Sequence, residues 1–154
     1  MIRKFAAGLV CLSWGLWFGG MSALFLFVTR LFAVDRDMAI HAAPVLFASF
    51  EKFQYVVGPI ALLAVSLWRL DMRSKSVTAL VYLIFLTFIV LIVGSIFFVH
   101  PMFALIQQSL GDSDQFKKLH GLSMLMYSTQ ELLLILIGLI LPSAIAGKRK
   151  MGIR

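Results

Sequence analysis

The chain is poor in the residues that build soluble domains and catalytic centres. Only 14% of its 154 residues are charged, too few to cover the surface of a soluble domain of this size. A single cysteine, Cys11, excludes an internal disulfide and says nothing about redox compartment. The only histidines are His41, His100 and His120, at spacings that match no metal motif. There is no glycine-rich phosphate loop and no metalloprotease helix signature. Ser13, Ser22 and Ser123 lack the sequence context of a Ser-His-acid triad. No internal repeat, low-complexity segment or long linker divides the chain, so a single domain is expected.

What the chain has instead is long apolar runs; hydrophobic residues make up 61% of it. Four runs are long enough to cross a bilayer, at about residues 5–28, 48–68, 77–99 and 122–144. The expected fold is an all-α integral membrane four-helix bundle. Arg3 and Lys4 precede the first run as in a secretory signal, but that run exceeds a signal core and is read as a retained span. Val10 before Cys11 is too large for a lipoprotein cleavage site. Pro44 is expected in the first turn of the second helix. His100-Pro101 is expected to end the third, because the residue before proline avoids helical geometry. A short amphipathic helix at 102–110, closed by Gly111, then follows. Asp112 with Gln115 forms a capping-box pattern that starts the last helix about two turns before its apolar part.

The net charge of +7 and pI near 10.0 invite a nucleic-acid reading, but the distribution of charge explains them otherwise. Arg3, Lys4, Arg69, Arg73, Lys75, Lys148, Arg149, Lys150 and Arg154, against Asp71 alone, fall on one side of the four spans. The other side balances, with Arg30, Arg36, Lys52, Lys117 and Lys118 against Asp35, Asp37, Glu51, Asp112 and Asp114. This is the positive-inside pattern. It gives both termini a cytoplasmic location, the bilayer as the main partner, no nucleic-acid role, and a bacterial inner membrane as the expected site.

Four residues of the last span, His120, Met124, Tyr127 and Glu131, fall 4, 3 and 4 apart and so on one helical face. With Ser123 they form the candidate polar face. Glu131 lies roughly 14 Å along the helix from Leu122, close to the middle of a ~30 Å core. A charge there costs on the order of 3 kcal/mol or more. It serves either as an ion, proton or cofactor site or as a neutral carboxyl bonded to a neighbouring helix. Trp17, Ser22, Tyr55, Gln130 and Tyr127 are the donors expected near its depth, and Pro59 frees the carbonyl of Tyr55. His41, His100 and His120 are candidate metal or haem ligands on the side opposite the termini. Glu51 with Lys52 is expected to snorkel to the interface without a further role. In the first span Ala7, Cys11, Gly15, Gly19 and Ala23 recur every four residues. This small-residue stripe contains a GxxxG and serves packing within the bundle or, alternatively, a homodimer seam.

Phe116, followed by Leu119-His120-Gly121 and Ser123 at the opening of the last span, resembles the transmembrane protein 205-like family (domain of unknown function 4149). The run at 42–47, the Pro-Met pair after span three and the small-residue first span are similar too. The resemblance implies a small integral membrane protein with no established reaction. It carries Phe116, His120, Gly121 and Ser123 as pattern positions. The chain departs from that pattern at Tyr127, where the family commonly has asparagine. A fainter similarity, at Trp17–Gly20, is to small four-helix membrane proteins that bind haem or copper, but their early histidine is absent here. The functional expectation is a non-enzymatic accessory or assembly component, self-associating or bound to another membrane protein, with no cofactor assigned. The alternative is a transporter or a metal- or haem-binding protein that uses the His120–Glu131 face.

Overall fold

The computed structural model describes residues 2–111 and 113–147. Asp112 and the basic tail at 148–154, both used in the sequence reading, lie outside the described residues. The architecture is all-helical: α1 (Ile2–Val34), α2 (Arg36–Asp71), α3 (Lys75–Gly94), α4 (His100–Gln107) and α5 (Asp114–Ala146). A π turn, Ser95–Val99, joins α3 to α4 so that the two form one continuous rod. Four helices are therefore long and apolar enough to cross a membrane.

The helices run alternately up and down, in the order α1, α2, α3, α5 around the bundle. Arg3 donates to the carbonyls of Gly147 at 2.7 Å and Ile145 at 3.3 Å. The start of α1 and the end of α5 therefore share one end of the bundle, here the termini end, and the guanidinium satisfies carbonyls that a helix leaves open. The connections α1–α2 and α4–α5 form the opposite, loop end.

Two sequence expectations about helix ends are corrected. Pro44 lies well inside α2, not in its first turn. The helix starts earlier because Asp35, extended at φ −148°, accepts from the Met38 amide at 2.9 Å and is a complete N-cap by itself. His100-Pro101 likewise does not end the third span. A proline ring in a regular helix presses on the carbonyl four residues back and leaves it without a donor. The π turn ends just before Pro101, and the wider turn lets the helix pass through.

The short helix then closes at Ser109, not at Gly111. Ser109 takes a left-handed φ of 60°. Its amide donates to the Ile106 carbonyl at 3.0 Å, and the Leu110 amide donates to that of Leu105 at 2.9 Å. These two bonds define a Schellman closure with serine where glycine is usual. The cap of α5 is Ser113, which accepts from the Phe116 amide at 3.1 Å.

In lipid, burial of apolar surface does not hold helices together; close packing and polar contacts do. Close approach falls at five glycines, none belonging to the predicted stripe; one is Gly147 at the end of α5, where a Cβ would meet Met72 at 2.8 Å. A Cβ on Gly20 would meet Phe50 at 2.7 Å, and one on Gly58 would meet Phe88 at 2.5 Å. On Gly94 it would meet Met126 at 3.2 Å, and on Gly138 it would meet Trp14 at 2.5 Å. At Gly15 and Gly19 a Cβ would meet nothing within 4 Å, and both face outward. Packing within the bundle, the first reading of the stripe, is corrected for these two positions. Gly58→Val is expected to destabilise the bundle by about 1–3 kcal/mol through overpacking. Gly15→Val should leave the melting transition in mild detergent unchanged, and circular dichroism of the two variants checks the pair.

Candidate functional site

Most buried polar side chains, Ser13 apart, lie in one half of the core. From the termini end the centre is filled by Ala6, Val10, Ala64, Trp68, Leu80, Ile137 and Leu141. Towards the loop end the buried set includes Glu51, Gln54, Thr87, Ser95, Ser123 and Gln130. Buried polar groups must find partners or cost roughly 1–3 kcal/mol each. Trp17 donates its indole N–H to Gln54 Oε1 at 2.8 Å, and Gln130 points its amide at the Thr87 carbonyl at 3.5 Å.

Glu51 is the centre of this half. The expectation that it snorkels to the interface is corrected: the residue is 5% exposed. The hydroxyl of Tyr55, one helical turn on, donates to Ser95 Oγ at 2.8 Å, and Ser95 in turn donates to Glu51 Oε1. His100 Nε2 lies 3.2 Å from the same oxygen, while its own side chain is 61% exposed at the loop end. The donors thus form a directed chain, Tyr55 to Ser95 to Glu51, and the imidazole joins it beside the serine, with His100 Nε2 3.3 Å from Ser95 Oγ.

The π turn makes this arrangement possible. On a regular helix, residues five apart point ~140° away from each other. A π turn closes from i to i+5 and stacks them. The His100 amide donates to the Ser95 carbonyl in that pattern, and both side chains reach one carboxyl oxygen. A cavity of about 10 Å³, room on the scale of one water, opens beside Glu51 and Ser95. Ser123, Tyr127 and Gln130 line its α5 wall.

The candidate polar face of the last span divides. Ser123 and Tyr127 point inward, Ser123 donating to the His120 carbonyl at 2.8 Å and Tyr127 packing its ring on Phe25 and Phe47. His120 and Met124 are exposed, and His120 stacks on Phe116 with ring centroids 5.8 Å apart. Glu131 is half-buried at the α1–α5 seam. Its Oε1 accepts from Ser22 Oγ at 2.5 Å, and Oε2 has no partner among the described residues. His120 and Glu131 line no part of the cavity at Glu51.

The other named residues fall as follows. His41 bonds the carbonyl of Asp37 at 2.8 Å, on the first turns of α2. His41, His100 and His120 do not converge, and among the described residues no three His, Cys, Asp or Glu side chains gather as a metal group. Ala7, Cys11 and Ala23 are partly buried on α1. Trp14 donates to the Leu134 carbonyl at 2.7 Å and pins α1 to α5. Two residues of the cluster escape a sequence reading. Ser95 is one serine in a charge-free run, and the sequence places Tyr55 only among the donors near the depth of Glu131. The one available signal was His100 next to Pro101.

No family model, curated protein or solved structure matches the chain.

Trp17→Phe is expected to leave Gln54 buried without its partner and to cost about 1–3 kcal/mol of stability. Adding Gln54→Leu should recover most of that loss. A double-mutant cycle of unfolding transitions in detergent reads the coupling, and additive losses would rule out the pairing.

Proposed function

We propose that the protein is a small, non-enzymatic accessory or assembly component of a membrane, working through contact with another transmembrane helix. The observation that carries this reading is one flank of the bundle. Gly15 and Gly19 face outward on α1 with open space beside them. Ser22, one turn on, holds Glu131 at the same seam. An acid in a membrane span faces lipid at high cost. The bare glycine backbone lets a further helix come close. Glu131, its second oxygen buried at the seam, marks the depth at which that helix would lie.

In this reading the termini end is cytoplasmic and the membrane is a bacterial inner membrane. The excess of lysine and arginine at that end supports the orientation. The resemblance at Phe116, His120, Gly121 and Ser123 to the transmembrane protein 205-like family implies a small integral membrane protein with no established reaction. In this chain Phe116, His120 and Ser123 are engaged locally, by stacking and capping at the start of α5.

Full-length protein extracted in mild detergent and examined by native mass spectrometry tests the proposal. The wild type is expected to appear with a second copy or with another membrane protein, and the two outcomes are distinguished by mass. Gly15→Leu/Gly19→Leu should weaken that association by about tenfold, the ~1–2 kcal/mol reach of close helix contacts in lipid. Its melting transition should not move. A wild type that is always a lone monomer would overturn the reading.

A further inference from the structure

We propose that Glu51 is a proton-binding site filled from the loop end, with His100 as the exposed group that delivers the proton. The inference is independent of the partner reading above, because it uses the opposite side of the core and none of the α1–α5 seam.

Three observations carry it. First, the site is built. Ser95, itself 2% exposed, and His100 converge on one oxygen of a carboxyl that is 5% exposed, and a π turn is needed to align them. A carboxyl that needed only solvation would lie exposed, as Lys52 beside it does. Second, the site has one door. His100 is mostly exposed, whereas towards the termini end the buried polar groups are the isolated Ser13 and the Trp68 indole N–H. No continuous chain of side-chain hydrogen bonds joins Glu51 to them among the described residues, so a proton that enters from the loop end returns the way it came. Third, the space is of proton and water size. About 10 Å³ excludes an organic ligand.

The titratable groups facing Glu51 can be named by element. Tyr55 comes from its own helix, His100 from α4, and Tyr127 from α5 across the cavity; α1 contributes none to the lining. Of these, His100 is the most exposed. The step is a transfer over 3.2 Å. The Nε2–H bond of the imidazolium breaks and an O–H bond forms on Glu51 Oε1. The imidazole is left neutral and is reprotonated from water. A neutral Glu51 no longer holds an imidazolium by charge, so α4 loses its electrostatic tie to α2.

The test is infrared difference spectroscopy of the full-length protein in lipid nanodiscs after a jump from about pH 8 to about pH 5. The carbonyl stretch of a newly protonated carboxyl is expected to rise in the wild type and in Glu131→Gln, and to vanish in Glu51→Gln. In His100→Ala its rise should slow by at least about tenfold, as loss of a positioned proton donor implies. Added imidazole should restore the rate, which a purely structural role of His100 would not allow. If Glu51→Gln does not fold, Glu51→Asp serves in its place and should shift the frequency of the band. A band that survives Glu51→Gln, or rises equally fast in His100→Ala, would overturn the proposal. So would an identical difference spectrum produced by sodium or calcium at constant pH, which would make this a cation site.

Discussion

A carboxyl group inside a helical bundle has to be met by donors, and helices offer none from their own backbone. Around Glu51 that demand is answered by side chains of three successive elements: Tyr55 from α2, Ser95 from the π turn and His100 from α4. Regular helical geometry would hold the last two apart. The irregularity before Pro101 thus sets the shape of the loop-end half of the molecule. The rod α3–α4 continues past its proline, Ser95 turns inward, and the imidazole closes the site. Gln54, Thr87, Ser123 and Gln130 are buried in the same half. The other half is packed mainly with aliphatic and indole side chains, with Ser13 and the Trp68 indole N–H as its buried polar groups.

Helix contacts are organised by shape. Glycine appears where a ring must pass: Gly58 beneath Phe88 and Trp17, and Gly138 beneath Trp14. Trp14 is fixed a second time by its hydrogen bond to Leu134, so the contact between α1 and α5 is both steric and polar. Gly15 and Gly19, by contrast, stand on the outer face of α1 beside the Ser22–Glu131 pair. Within one chain they have no packing role.

The sequence made the architecture legible because spans are written in long apolar runs, and Glu131 was visible because an acid interrupts one of them. Helix boundaries were less legible. Pro44 and Pro101 both read as punctuation, yet a strong cap at Asp35 and a π turn overrode them. Glu51 was the larger miss. By position it lies near a span end, where a carboxyl ordinarily reaches water. What keeps it inside is a serine forty-four residues away that no periodicity marks. The face of α5 was also misjudged by part of a turn. Spacings of three and four define a stripe but not its direction, and packing turned Ser123, Tyr127 and Gln130 inward, leaving His120 outside.

Asp35 alone separates α1 from α2. Its amide donates to Leu31 and its carbonyl accepts from Ala39, so the reversal leaves neither of its backbone groups free and contains no slack. A displacement of α1 along its axis is therefore passed directly to α2, with no loop between them to absorb it, and the outward glycine face of α1 is held in fixed register with the helix that carries Glu51.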